Sequence, residues 1–131
     1  MKALLLTFLF ASLLPAVSRP QGTVTINDIT AAIGSGNVAQ LMSYVDAELE
    51  LSILDREDLY AKNTASGELT KFFRSFTPAS FNQVHQGSSK ADDAEYVIGN
   101  LSTNKGNFRV YIYVAKRGNS VVLQELRFDR Q

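Results

Sequence analysis

The stretch Phe108-Arg109-Val110-Tyr111-Ile112-Tyr113-Val114-Ala115 decides the fold. Its period is two. Phe108, Val110, Ile112 and Val114 form one wholly apolar face, and Arg109, Tyr111, Tyr113 and Ala115 form the other. Such alternation marks a strand with one face on a core. The turn former Arg117-Gly118-Asn119 follows, and a three-residue loop there pairs Val114 with Val122, Val110 with Leu126 and Phe108 with Phe128. That register sets apolar against apolar, which a one-residue slip would undo. On the other face it aligns Arg109 with Arg127, Tyr111 with Glu125, Tyr113 with Leu123 and Ala115 with Val121.

Outward from this strand, the sequence predicts an antiparallel meander over residues 80–88, 94–103, 108–116 and 120–129. Its turns are Lys90-Ala91-Asp92-Asp93, Asn104-Lys105-Gly106-Asn107 and Arg117-Gly118-Asn119, all rich in turn formers. Upstream, Leu69, Phe72, Phe73 and Phe76 fall at helical spacing, with Asn63 or Thr64 as the expected cap and Pro78 as the stop. Before that helix, Ala47, Leu49, Leu51 and Ile53 alternate with Glu48, Glu50 and Ser52. This predicts a strand that turns at Asp55-Arg56-Glu57 into a short partner through Leu59 and Tyr60. Earlier still, Ile26, Ile29 and Ile33 predict a helix capped by Asn27 or Asp28 and ended by Gly34-Ser35-Gly36. Asn37 then caps a second helix whose stripe is Val38, Leu41, Met42 and Val45. The order is α-α-β-β-α-β-β-β-β, with helices packed on one side of a curved antiparallel sheet, an α+β architecture.

Composition narrows the function classes. The 131 residues carry 13 Lys and Arg against 13 Asp and Glu, without the clustered positive excess of a general nucleic-acid binder. The absence of Cys excludes a disulfide framework, a thiolate zinc site and a cysteine nucleophile. Met1-Lys2, the apolar run Ala3–Leu14, Pro15 and Ala16-Val17-Ser18 read as the charged, apolar and cleavage regions of a signal peptide. Twelve helical residues reach about 18 Å, short of the roughly 30 Å hydrocarbon core, so an anchor is excluded. The expectation is an exported periplasmic or extracellular protein, cut after Ser18 and free of the membrane thereafter. It is no lipoprotein, since no Cys follows the cleavage site. Residues 19–131 then form one domain with 12 basic and 13 acidic side chains.

The helix–hairpin–helix–meander order resembles the nuclear-transport-factor-two-like, or cystatin-like, cone fold. More narrowly, several segments resemble DUF family 4783, an uncharacterised family of small exported proteins from Bacteroidota. They are Ile29 to Leu41 with its break at Gly36-Asn37, Leu69 to Phe73, Phe81, His85-Gln86-Gly87, Tyr96-Val97-Ile98-Gly99, Leu101-Ser102-Thr103 and Gly106 to Tyr111. The most specific run is I-G-x-L-x-T-x-x-G-x-F-R-V-Y, from Ile98 to Tyr111. The resemblance spans nearly all of residues 19–131. It implies fold and lineage, and it transfers no catalytic residue.

Chemistry therefore rests on the residues. His85 is the single histidine and the one side chain whose ordinary pKa suits proton transfer near neutrality. On an unbulged strand it shares a face with Phe81 and Gly87 and points inward. No second His or spaced carboxylate set accompanies it, so no metal or cofactor is expected. Asp92-Asp93-x-Glu95 lacks the glycine and further oxygens of a calcium loop and reads as a solvated turn. Cone-fold isomerases use a carboxylate and a tyrosine, and Asp46 and Asp55 with five tyrosines supply the residue types without a spacing that joins them. Gln83-Val84-His85-Gln86-Gly87 resembles the Q-x-V-x-G hairpin of cystatins, but His85 replaces the central Val and no Trp exists for the companion hairpin.

Two surfaces remain. A pocket between the Phe72/Phe73 helix and the sheet, with Phe81, His85 and Tyr96 on its walls, is expected either to hold a small apolar ligand or to be filled core. The outer sheet face, with Arg109, Tyr111, Tyr113, Leu123, Glu125 and Arg127, is rich in the residue types that protein interfaces favour. Self-association through it is the expected partnership, because related cone folds often dimerise there. The function expected is a binding or interaction module without catalysis.

Overall fold

The computed structural model describes residues 22–131. The expected signal peptide, residues 1–18, lies outside the described residues.

Thr25 opens α1 (Ile26–Gly34). Its hydroxyl accepts the Asp28 N–H while the Asp28 carboxylate accepts the Thr25 N–H. The expected caps, Asn27 and Asp28, lie inside the first turn. Asp28 serves instead as the reciprocal member of a capping box. The helix ends at Ser35, and Gly36 takes φ +64°, a left-handed conformation in which a side chain would be strained. Asn37 then caps α2 (Val38–Met42) by accepting the Gln40 N–H, as the sequence predicts.

Strands β1 (Glu48–Ile53) and β2 (Arg56–Ala61) form a hairpin whose turn is Leu54-Asp55, shorter than expected because Arg56 and Glu57 already pair. Helix α3 (Lys62–Ser75) starts directly after Ala61 without a side-chain cap. Asn63 and Thr64 lie inside it, and the Lys62 N–H is held by the Ala47 carbonyl at 2.9 Å. Pro78 stops the helix and opens β3 (Pro78–Ser89), a position where its missing N–H is tolerated. Strands β4 (Ala94–Thr103), β5 (Gly106–Arg117) and β6 (Ser120–Arg130) complete the meander.

All six strands join one sheet in the order β2-β1-β6-β5-β4-β3. The sheet is not wholly antiparallel, because β1 lies parallel to β6, with Glu50 opposite Glu125 and Ile53 opposite Phe128. The helices cover one face. Leu49, Leu51, Val97, Leu101, Phe108, Val110, Ile112, Leu126 and Phe128 project from the sheet into the core, where they meet Ile29, Ile33, Leu41, Leu69, Phe72 and Phe73. Aromatic rings fill its middle. The Phe72 ring lies 5.5 Å from Phe73, 5.3 Å from Phe76, 5.2 Å from Phe108 and 4.7 Å from Phe128. Rings at such separations add favourable contacts beyond the area they bury.

The β5–β6 register differs from the expected one. The turn is the two residues Gly118-Asn119, and Gly118 takes φ +60°. Val114 pairs with Leu123 and Ala115 with Val122. A bulge at Gln124 then shifts the pairing to Tyr113 with Glu125, Tyr111 with Arg127 and Arg109 with Asp129. Leu123, expected on the outer face, is 0% exposed in the core, and Val122 takes the outward position. The physical reason is spacing. Leu123 and Leu126 are three residues apart and share a face only if the strand gains an extra residue between them.

Candidate functional site

The face that the helices leave uncovered is built in cross-strand rows fixed by the ladder. One row reads Glu57, Ser52, Arg127, Tyr111, Ile98, His85 from β2 to β3. The next reads Leu59, Glu50, Glu125, Tyr113, Tyr96, Gly87. A third reads Asp129, Arg109, Asn100, Asn82 from β6 to β3. Carboxylates gather at the β2-β1-β6 side, and tyrosines with His85 gather at the β5-β4-β3 side. Leu59, at 59% exposure, stands at the acidic edge.

His85 belongs to this face and not to the interior. A bulge at Val84, between Gln83 and His85, reverses the alternation, so Phe81 turns toward the helices while His85 turns away. The His85 Nε2 lies 3.1 Å from the Tyr96 hydroxyl, and the Tyr96 ring stacks 6.2 Å from that of Tyr111. Glycine makes the room: a Cβ on Gly87 would lie 2.4 Å from the Tyr96 ring, and one on Gly99 2.2 Å from the Phe81 ring. The five residues expected around one pocket therefore separate. Phe73 is core, Phe81 packs against the core, His85 and Tyr96 lie on the opposite face, and Phe72 alone borders an opening on the helix side.

That opening is a groove of about 250 Å³ between α3 and the β1–β2 hairpin, lined by apolar residues with Arg56, Glu68 and Lys71 at its edge. On the open face, a shallow pocket of about 420 Å³ is lined by Ile98, Arg109, Tyr111, Glu125, Arg127 and Asp129. It unites four of the six residues expected at the interface. Tyr113 stands beside it in the next row, and Leu123 is absent from it.

Electrostatics couple the centre of the face. One Arg127 nitrogen lies 3.4 Å from Glu57 and 4.0 Å from Glu125. The carboxylates of Glu50, Glu57 and Glu125 approach within 4.8 Å of one another. Burial, then the neighbouring Glu50, push the Glu125 carboxyl above its ordinary range, while Arg127 opposes them and Glu57 adds to the rise. Burial likewise raises the Tyr111 hydroxyl, helped by Glu125, Tyr113 and Tyr96 and opposed by Arg127. Because the Arg127 guanidinium already meets two of the three carboxylates, the cluster is an ion-pair network. Arg109 donates to the Asn100 side chain at 3.2 Å, and neither it nor Asp129 has an ion-pair partner within 4 Å among the described residues.

The other candidate chemistries do not assemble among the described residues. Asp46 pairs with Arg117 at the surface, and Asp55 sits in the exposed hairpin turn; neither lines the groove or the pocket. Gln83 to Gly87 runs along β3 against β4 and forms no hairpin tip. Sequence reasoning missed Asp129, Ile98, Glu50 and Glu57 as members of the face. The outward phase of Glu48 and Glu50 was readable, but the parallel β1–β6 pairing that brings Glu50 to Glu125 leaves no local signal.

Among the described residues, three helices on one face of a curved, unclosed six-stranded sheet define a nuclear-transport-factor-two-like fold. An NTF2-like protein of unknown function from Cytophaga hutchinsonii shares that fold at 9% identity, with TM-score 0.54 and coverage of 83% of this chain and 94% of that one. The chain belongs to the family described as Domain of unknown function (DUF4783), which matches residues 26–129. A DUF4783 protein of known structure from Bacteroides uniformis is 33% identical, with TM-score 0.73, covering 80% of this chain and 95% of that one. Another, from Bacteroides ovatus, is 28% identical, with TM-score 0.75, covering 84% and 98%. Among curated proteins, no sequence match is found.

Proposed function

We propose that this protein is an exported, non-catalytic interaction module that self-associates through its open sheet face. The observation that carries the reading is the self-complementarity of the face rows. A two-fold axis along the strands, between β5 and β6, lays β6 on β5 of the partner subunit, β1 on its β4 and β2 on its β3. Residues of equal level then oppose each other: Asp129 meets Arg109, Arg127 meets Tyr111, Glu125 meets Tyr113, Glu50 meets Tyr96 and Glu57 meets His85. Every contact occurs twice, as an isologous interface requires.

Each pairing is chemically apt. Asp129 and Arg109 gain the ion-pair partners they lack, Arg127 covers a tyrosine face, and tyrosine hydroxyls donate to carboxylates. The aromatic and arginine enrichment is that of interface cores. The phenylalanine-filled interior is compatible with the same reading: among the described residues, His85, Asp46 and Asp55 lie outside it. The family and its fold neighbours supply lineage and architecture to this reading.

Static light scattering of the parent and of a Tyr111→Ser/Tyr113→Ser variant tests it. The parent gives the mass of a dimer and the variant that of a monomer. A monomeric parent, or a variant that stays dimeric, overturns the reading. Export is checked separately by N-terminal sequencing of the protein recovered from its own host: the chain begins at Arg19, and retention of Met1 contradicts export.

A further inference from the structure

The groove between α3 and the β1–β2 hairpin lies on the helix side of the sheet, away from the face just discussed. Leu51, Ile53, Phe72 and Phe76 give it an apolar lining, and Tyr60 adds an aromatic wall. Leu54 forms its lip, 37% exposed and at φ +56°, an unusual conformation for a branched residue. The Leu54 N–H, bonded to the Phe128 carbonyl at 2.9 Å, holds it there. The opening, about 250 Å³ and open to solvent on one side, has room for a short alkyl chain.

Three charges border the opening. Lys71 pairs with Glu68 at 3.6 Å on the α3 surface, and the two nearly cancel. Arg56 has no carboxylate within 4 Å among the described residues, so the mouth carries one uncompensated positive charge beside an apolar slot. Sites of this kind fix a ligand by one placed polar contact while apolar walls bury the rest.

We infer that the groove binds a small amphiphile with a single anionic head, of the class of medium-chain monocarboxylates. The tail lies between Phe72, Phe76, Leu51 and Ile53, and the carboxylate accepts charge-assisted hydrogen bonds from Arg56. This inference stands independently of self-association, since none of its residues belongs to the open-face rows.

Titration of the full chain with octanoate, followed by methyl-resolved NMR, tests it, with 1-octanol as the neutral probe. Octanoate shifts the Leu51, Ile53 and Leu54 methyls saturably, and 1-octanol binds at least tenfold more weakly. Arg56→Gln, an exposed substitution, lowers octanoate affinity at least tenfold and leaves the 1-octanol affinity unchanged. Ser75→Phe, which fills the groove from α3, abolishes both; should that variant misfold by circular dichroism, the Arg56→Gln comparison decides. Shifts that never saturate, or equal affinity for the two probes, or an Arg56→Gln variant that binds octanoate as the parent does, overturns the inference.

Discussion

At the scale of single residues, the clearest device is glycine facing an aromatic ring across a strand pair. Gly99 makes room for Phe81, whose ring would lie 2.2 Å from an added Cβ, with the Asn82 carbonyl oxygen at 2.8 Å. That oxygen belongs to the backbone and cannot swing aside. Gly67, by contrast, lies in α3 with nothing within 4 Å of an added Cβ. The same substitution therefore acts in opposite directions. Gly99→Ala lowers stability by about 1–3 kcal/mol through overpacking, and Gly67→Ala raises it by about 0.5–1 kcal/mol by removing the entropy cost of a helical glycine. Urea denaturation of the two variants checks the pair, and equal effects would show that the Phe81 ring does not rest on Gly99. The ring arrangement was not readable in the chain, because neither Phe81 nor Gly99 signals which strand it will meet.

Elements were largely legible because their signals are local. The stripes Ile26-Ile29-Ile33 and Leu69-Phe72-Phe73-Phe76, and the alternation from Phe108 to Ala115, each satisfy one period within a few residues. What escaped were the features that break a period. The bulge at Val84 moves His85 from the core side to the open face, and the bulge at Gln124 brings Leu123 inward. A hint of the second was present in the chain: Leu123 and Leu126 cannot share a face of an unbulged strand. Removing that residue gives the corresponding prediction. Deletion of Gln124 restores plain alternation and forces either Leu123 or Leu126 with Phe128 out of the core. Each large apolar side chain so exposed costs about 1.5–3 kcal/mol, and the urea midpoint should fall accordingly. An unchanged midpoint would mean that the bulge is not needed to seat both leucines.

For the whole molecule, the division of labour between the two faces of one sheet is the main result. The helix-covered face is packed with phenylalanine and leaves a small slot beside Arg56; the open face arranges tyrosine, arginine and glutamate in rows. Half of that site was visible in the sequence, since Arg109, Tyr111, Tyr113, Glu125 and Arg127 all follow from alternation in β5 and β6. Glu50 and Glu57 were not, because they arrive through the parallel pairing of β1 with β6, which joins residues far apart in the chain. On the proposal made above, the β2-β1-β6 half of the open face fits the β5-β4-β3 half of a second copy across a two-fold axis. Sedimentation equilibrium of Arg109→Asp, of Asp129→Arg and of the double variant tests it most directly. The expected result is a dimer for the parent, monomers for each single variant, and recovery of the dimer when both charges are exchanged; single variants that remain dimeric, or a double variant that remains monomeric, would contradict the two-fold fit.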